Sequence, residues 1–247
     1  MKYKYNEGQV WSLIPARGGS KGIPRKNLLS VCGRPLITYS IAHSLECAPI
    51  DRTFVSTDDE EIATVAKEAG AEVPFMRPAE YATDEATDLV VFRHALTWFQ
   101  NNWGSVPELL VHLRPTGPVR DSGVISSAVR QMLDCPKADA LRSISLVLDT
   151  PYKMWTIEDE RLIPLISLKG IQEAHSHPRQ QLPPVYGQNG YVDVIRTRTI
   201  LECNSMCGHF VLPLLTQGKI PDLDYPTQIP ALISAVESHA RSLEKPT

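Results

Sequence analysis

The sequence predicts an α/β protein: a doubly wound, mostly parallel sheet covered by helices on both faces. Three observations carry this expectation. Short apolar runs that read as strands alternate with amphipathic segments of helical length, the pattern of parallel strands joined by crossover helices. Such crossovers are right-handed, which fixes how the helices fall on the two faces. At 247 residues the chain is expected to be one domain over 1–247, able to bury roughly 70–75% of its unfolded surface with no disulfide or metal staple.

The elements follow in order. Val10–Pro15 is a buried strand that opens onto the glycine-rich stretch Ala16–Gly22. Pro35–Glu46 places Leu36, Ile37, Ile41 and Leu45 at helical spacing, with proline acceptable in the first turn. Arg52–Thr57 is a strand. Asp58 then caps a helix, with Glu61 three residues on, and the helix ends at Ala69 before Gly70. Glu72–Phe75 reads as a short strand. Thr87–Gln100 is the clearest amphipathic helix of the first half, with Leu89, Phe92, Leu96 and Phe99 on one face. A strand at Glu108–Leu113, a helix at Gly123–Leu133 and a strand at Ala140–Val147 come next. The alternation fails over Asp149–Gln188, which holds five prolines and the aromatic patch Tyr152–Trp155. This segment is expected to form an inserted lobe of short strands. Gly190–Arg196 and His209–Leu214 return to strand patterns, and Thr227–Leu243 is a final amphipathic helix.

Composition narrows the function. Lys+Arg 25 against Asp+Glu 28 leaves a formal charge of −3, which argues against a nucleic-acid partner. No apolar run approaches the ~20 residues of a membrane span, so no membrane partner is expected. Met1–Val10 is polar and lacks the apolar core of a signal peptide, so the expectation is a cytosolic chain. Five scattered cysteines fit reduced thiols in that compartment.

The most informative stretch is Ile14–Asn27, IPARGGSKGIPRKN, with three glycines and the four cations Arg17, Lys21, Arg25 and Lys26. Glycine lets backbone N–H groups approach an anion, and Arg and Lys supply charged donors for phosphate oxygens. The loop lies beyond the carboxyl end of a strand, where open α/β sheets bind ligands. A solvated basic turn is the competing reading, and concentration of cations in a slightly acidic chain favours phosphate. The loop is neither a Walker A sequence nor a G-x-G-x-x-G fingerprint.

Further blocks follow in the order FVSTDDEEIA, RPAEYATDEATD, LRPTGPVR, PRQQLP, NGYVDV and DLD, spanning roughly residues 10 to 230. Together with the first loop they resemble the acylneuraminate cytidylyltransferases (CMP-sialic acid synthetases). The resemblance implies a nucleotidyltransferase sheet whose lobe, residues 149–188, serves dimerisation. It implies that CTP and a nonulosonic acid give a CMP-sugar and pyrophosphate with Mg²⁺. Carried over residue by residue, nucleotide binding falls on Ala16, Arg17, Lys26, Asn27, Arg77, Ala86 and Asp88. Arg17 and Lys26 would face the triphosphate. Asn27 and the Arg77–Asp88 block would hold cytosine and ribose. The sugar would meet Arg114, Arg179, Gln181, Tyr186 and Asn189, some of them at a dimer border. Asp222 and Asp224 would hold the metal, and Asp224 could also take the attacking hydroxyl's proton. On a strand, their i, i+2 spacing would put both carboxylates on one face; a polar turn is the alternative.

Two departures matter. The family's glutamine before Pro-Thr is Arg114 here, and the serine after them is Gly117. Arginine adds a charge and a bidentate fork, so Arg114 either binds a carboxylate of the substrate or pairs with a nearby Asp or Glu. N-acetylneuraminate is thereby put in doubt, and legionaminate-like, pseudaminate-like or eight-carbon Kdo substrates stay open. A nucleotide-binding homologue without turnover is the reading from another class. Cys203, Cys207 and His209 lack a nearby fourth zinc ligand, and His175 with His177 reads as a polar loop edge.

Overall fold

In the computed structural model, which describes residues 3–216 and 223–243, the first apolar run is the buried half of β1 (Tyr5–Pro15). A tight hairpin follows, β2 (Ser30–Val31) and β3 (Arg34–Pro35), then α1 (Leu36–Leu45), β4 (Arg52–Ser56) and α2 (Glu60–Glu68). Next come α3 (Asp88–Trp103), β5 (Val106–His112), α4 (Ser122–Asp134) and β6 (Ala140–Leu146). The lobe carries β7 (Trp155–Glu158) and β8 (Arg161–Pro164). The chain closes with β9 (Tyr186–Arg196), α5 (Thr197–Leu201), β10 (Val211–Leu215) and α6 (Ile229–Leu243).

The main sheet has the order β10-β6-β9-β5-β1-β4. β1 runs parallel to β4 and β5, β10 runs parallel to β6, and β9 alone runs against its two neighbours. The sheet is therefore mostly parallel, as expected. Alternation along β1 explains its two covered faces. Val10 and Ile14 join Ile37 and Ile41 of α1, Ile62 of α2 and Val129 of α4. Trp11 and Leu13 join Phe92, Leu96 and Phe99 of α3 on the other side. Between Val10 and Ile14, buried Ser12 shares a hydrogen bond with Ser44 at 2.5 Å, and Ser44 another with Thr53 at 2.8 Å. These three hydroxyls are thus satisfied within the core. No helix of the described residues is long and apolar enough to cross a membrane.

Four local expectations change. The cap of α2 is Asp59, whose carboxylate accepts the Ile62 N–H at 2.9 Å. Asp58 instead accepts the Gly18 N–H of the first loop at 2.9 Å. Glu72–Phe75 is no strand: two isolated bridges, Phe54 with Glu72 and Thr57 with Met76, flank Pro74, which has no N–H to donate. The last strand begins at Val211, because Asp139 accepts the N–H groups of His209 and Phe210 at 2.9 and 3.0 Å. The lobe ends earlier than Gln188, since β9 starts at Tyr186.

Within the lobe, Ile157 and Leu162 face each other across the β7–β8 hairpin, yet they are 77% and 61% exposed. A cross-strand apolar pair left in water on a small hairpin has no core of its own to serve.

Candidate active site

The carboxyl ends of β1 and β5 border a pocket of about 380 Å³, where an open α/β sheet binds its ligand. The loop after β1 supplies Arg17, Ser20, Lys26 and Asn27; β5 and the turn after it supply His112, Arg114 and Thr116. Asp88 enters from the start of α3, and Asp224 from the segment before α6.

The glycines of the first loop have specific jobs. A Cβ on Gly22 would lie 2.3 Å from the carbonyl oxygen of Asp224, and one on Gly18 would lie 2.8 Å from the Asp59 Cβ. Only glycine lets the loop pack this closely on both neighbours. Asn27 braces the loop by donating from Nδ2 to the Arg17 carbonyl at 2.9 Å, while its buried Oδ1 has no partner. The four cations divide into two kinds. Arg25 is held by Asp59, at 2.6 Å, and by Glu61, and so secures the loop to the cap of α2. Arg17 and Lys26 line the pocket, balanced by Asp84 at 2.7 Å and Asp224 at 3.1 Å. Lys21 also pairs with Asp84, at 2.6 Å; Lys21 and Arg17 together hold that carboxyl below its ordinary range.

The other expected nucleotide residues sit behind this front. Ala16 is buried, with its N–H on the Ser56 carbonyl at 2.9 Å. Arg77 is buried and donates to the carbonyls of Ser56 and Tyr81; burial pulls its pKa down to about 10. It braces the block that leads to Asp88 and does not border the pocket itself. Half-buried Ala86 is not among the pocket-lining residues either, its N–H lying on the Thr83 carbonyl at 3.3 Å.

Of the expected sugar residues, Arg114 alone borders this pocket. Arg179 donates to the Val147 carbonyl just after β6 at 3.3 Å, and Gln181 meets His177 within the lobe at 3.4 Å. Tyr186 is exposed at the start of β9, and Asn189 bonds Thr216 at 2.6 Å. Among the described residues, no carboxylate lies within ion-pair distance of Arg114. The internal-pair alternative thus finds no partner there, and the buried Arg114 Nε is without a hydrogen bond. Gly190, at φ +70°, makes room for it, since a Cβ there would stand 3.1 Å from Arg114 Cδ and Nε.

Arg120 fixes the turn that carries Arg114. Its buried guanidinium donates to the carbonyls of Arg114 at 2.9 Å and Tyr191 at 2.6 Å, to that of Gly117, and to Ser40 Oγ at 2.9 Å. A Cβ at Gly117 would fall 2.7 Å from Arg120 Nη2, which accounts for glycine at this departure.

Asp222 lies outside the described residues. Asp224 stands in a turn, not on a strand, because Gln228 Oε1 accepts its N–H at 2.7 Å. Leu223, fully buried with Ile23, Leu36 and Leu232, anchors that turn beside the first loop.

Sequence reasoning named neither Ser20 nor Thr116 of this pocket, and it missed His112. His112 ends β5, is 2% exposed, and has Nδ1 4.0 Å from Asp88 and 3.7 Å from Asp193. A lone histidine in ELLVHL carried no signal, because both carboxylates arrive from distant parts of the chain.

The sequence profile of the cytidylyltransferase family matches residues 11–137, just over half of the chain. A pseudaminic acid cytidylyltransferase of Campylobacter jejuni is 36% identical over 121 residues, 49% of this chain and 52% of that protein. An N-acylneuraminate cytidylyltransferase of Streptococcus agalactiae is 33% identical over 192 residues, 77% of this chain and 44% of that protein. Each match thus spans about half the relative's length. Among solved structures, a CMP:2-keto-3-deoxy-manno-octonic acid synthetase complexed with CTP superposes with a TM-score of 0.69. It covers 93% of this chain and 99% of that one at 14% identity, a likeness of fold.

Proposed function

Because the chain belongs to the cytidylyltransferase family, we propose that it joins CTP to a nonulosonic, sialic-type acid, giving a CMP-sugar and pyrophosphate. The observation that carries this reading is the convergence of Arg17, Lys26 and Arg114 in one pocket. Two of these cations suit a triphosphate, and the third suits the carboxylate of the acid. The orphan Asn27 Oδ1 suits an amino donor such as that of cytosine. Transfer of this kind depends on positioning and charge neutralisation. Arg17 and Lys26 spread the charge of the triphosphate, and Arg114 orients the acid so that its hydroxyl faces the α-phosphorus.

The exposed carboxylate of Asp224 borders the same pocket and offers the hard oxygen donors that Mg²⁺ prefers. Asp224, with Asp222, would hold the ion, which when bound neutralises charge on the departing pyrophosphate.

Pyrophosphate release from CTP, measured across neuraminate-, legionaminate-, pseudaminate- and eight-carbon Kdo-type acids, tests the reading. Release with a nine-carbon acid is expected. CTP binding without release from any acid would identify a non-catalytic nucleotide-binding protein. In the same panel Arg114→Gln is expected to reorder the acids, lowering the preferred one about tenfold or more, the worth of a charge-assisted hydrogen bond. CTP affinity should change less. An unchanged ranking would make Arg114 a structural residue.

The exposed Ile157–Leu162 pair supports assembly as a homodimer through the lobe, a two-fold contact being the commonest way to cover such a patch. Light scattering is expected to give a dimer, and Ile157→Asp with Leu162→Asp a folded monomer. A fully active, stable wild-type monomer would overturn this assembly.

A further inference from the structure

Three strands bring a row of charged groups under the floor of the pocket. His112 of β5 lies opposite Asp193 of β9, and Asp193 lies opposite Arg142 of β6. Arg142 Nη1 donates to Asp193 Oδ2 at 2.8 Å, so the buried carboxylate is clamped from the far side. Its Oδ2 is 3.7 Å from His112 Nδ1, and Asp88 Oδ2 approaches the same nitrogen to 4.0 Å. The Phe92 ring packs edge-on against the imidazole at 4.8 Å. Nδ1 is sealed from solvent with no hydrogen bond, while the residue borders the pocket, so Nε2 is the nitrogen left to meet a ligand. Two carboxylates beside Nδ1 favour the tautomer that keeps its proton there, which leaves the lone pair on Nε2.

We propose that His112 is a catalytic residue that accepts, at Nε2, the proton of the acid's attacking hydroxyl, with Asp193 as the positioning residue behind it. The proposal rests on the cytidylyltransferase reading above. In the step, the hydroxyl oxygen forms a bond to the α-phosphorus. The bond from that phosphorus to the bridging oxygen breaks, its electron pair leaving with pyrophosphate. The hydroxyl proton passes to Nε2 and later to solvent. Charge on the ring is then met by Asp88 from α3 and Asp193 from β9, and opposed by Arg114 beyond β5 and Arg142 from β6. Burial lowers the pKa of His112 below its ordinary 6.5, so the imidazole is neutral and able to accept a proton at neutral pH. Two carboxylates also border the pocket: Asp88 faces His112 Nδ1 at 4.0 Å, and Asp224 pairs with Lys26 at 3.1 Å.

The test begins with the wild-type enzyme and the acid it turns over; no turnover with any acid would reject the underlying reading and not this assignment alone. With that acid, His112→Gln keeps a hydrogen-bonding side chain that cannot carry the proton. It is expected to lower kcat about a hundredfold or more, in the range of general-base catalysis, with KM for CTP and for the acid changed only a few-fold. Wild-type kcat should fall as pH drops through the His112 titration, seen by NMR on the ring proton, and the limb should vanish in the variant. If His112→Gln does not fold, coincidence of the wild-type kinetic limb with the NMR titration decides the matter. A variant within a few-fold of wild-type kcat, a retained acid limb, or a wild-type limb that misses the titration would overturn the proposal.

Discussion

Lys26→Ala is expected to lower turnover with CTP at least about a hundredfold, and Arg17→Ala to do the same, because each removes a charged donor from a triphosphate whose charge must be met as pyrophosphate leaves. Both cations are already in the pocket and held by acids that a ligand can replace. Lys26 is 3.1 Å from Asp224, and Arg17 is 2.7 Å from Asp84. A triphosphate offers each a higher charge than one carboxylate does, so binding is an exchange of partners that asks for no rebuilding of the loop. The loop itself should survive the substitutions. The bond that braces it runs from Asn27 Nδ2 to the backbone oxygen of Arg17, and Arg25 ties it to Asp59; neither uses the deleted atoms. CTP affinity by calorimetry and steady-state turnover check the result together. Near-normal turnover in both variants would remove the triphosphate from this end of the pocket.

The parts of this site that were legible in the sequence are those made by neighbours in the chain. The strand, its glycine loop and the cations of Ile14–Asn27 lie in one stretch, and the apolar spacing of α3 fixes its buried face. Contacts between distant segments were not legible. Asp58 and Asp59 are both acceptable caps by local rules, and the choice is made by Gly18, whose N–H takes Asp58. His112 looks like a core histidine until β9 brings Asp193 opposite it. β9 runs antiparallel, a direction that residue pattern alone does not reveal. Gly117 read as a departure from a pattern, and its reason is the Arg120 guanidinium underneath. Arg179 and Gln181 matched their block, yet they and Tyr186 lie on the lobe and at the start of β9 and do not border the pocket that holds Arg114.

Excess chelator is expected to abolish pyrophosphate release, with recovery on adding Mg²⁺, and Asp224→Ala is expected to lower turnover at least about a hundredfold in saturating Mg²⁺. The fold should tolerate this change. The turn is anchored by buried Leu223 and by Gln228 Oε1 on the Asp224 N–H, and the carboxylate, 60% exposed, supports neither. Two roles for that carboxylate remain to be separated, because it is also the partner of Lys26. A carboxylate that only positions Lys26 competes with phosphate for that cation, so its removal should tighten CTP with or without Mg²⁺. A carboxylate that binds the ion makes CTP affinity depend on Mg²⁺. The proposed site therefore predicts that Mg²⁺ tightens CTP binding to the wild-type protein and leaves Asp224→Ala nearly unaffected, while in the absence of metal the variant binds CTP at least as well as wild type. Calorimetric titration of CTP into both proteins, with Mg²⁺ and with chelator, reads this directly. Equal Mg²⁺ dependence in the two proteins, or full activity in chelator, would take the metal away from Asp224 and leave that residue as a brace for Lys26.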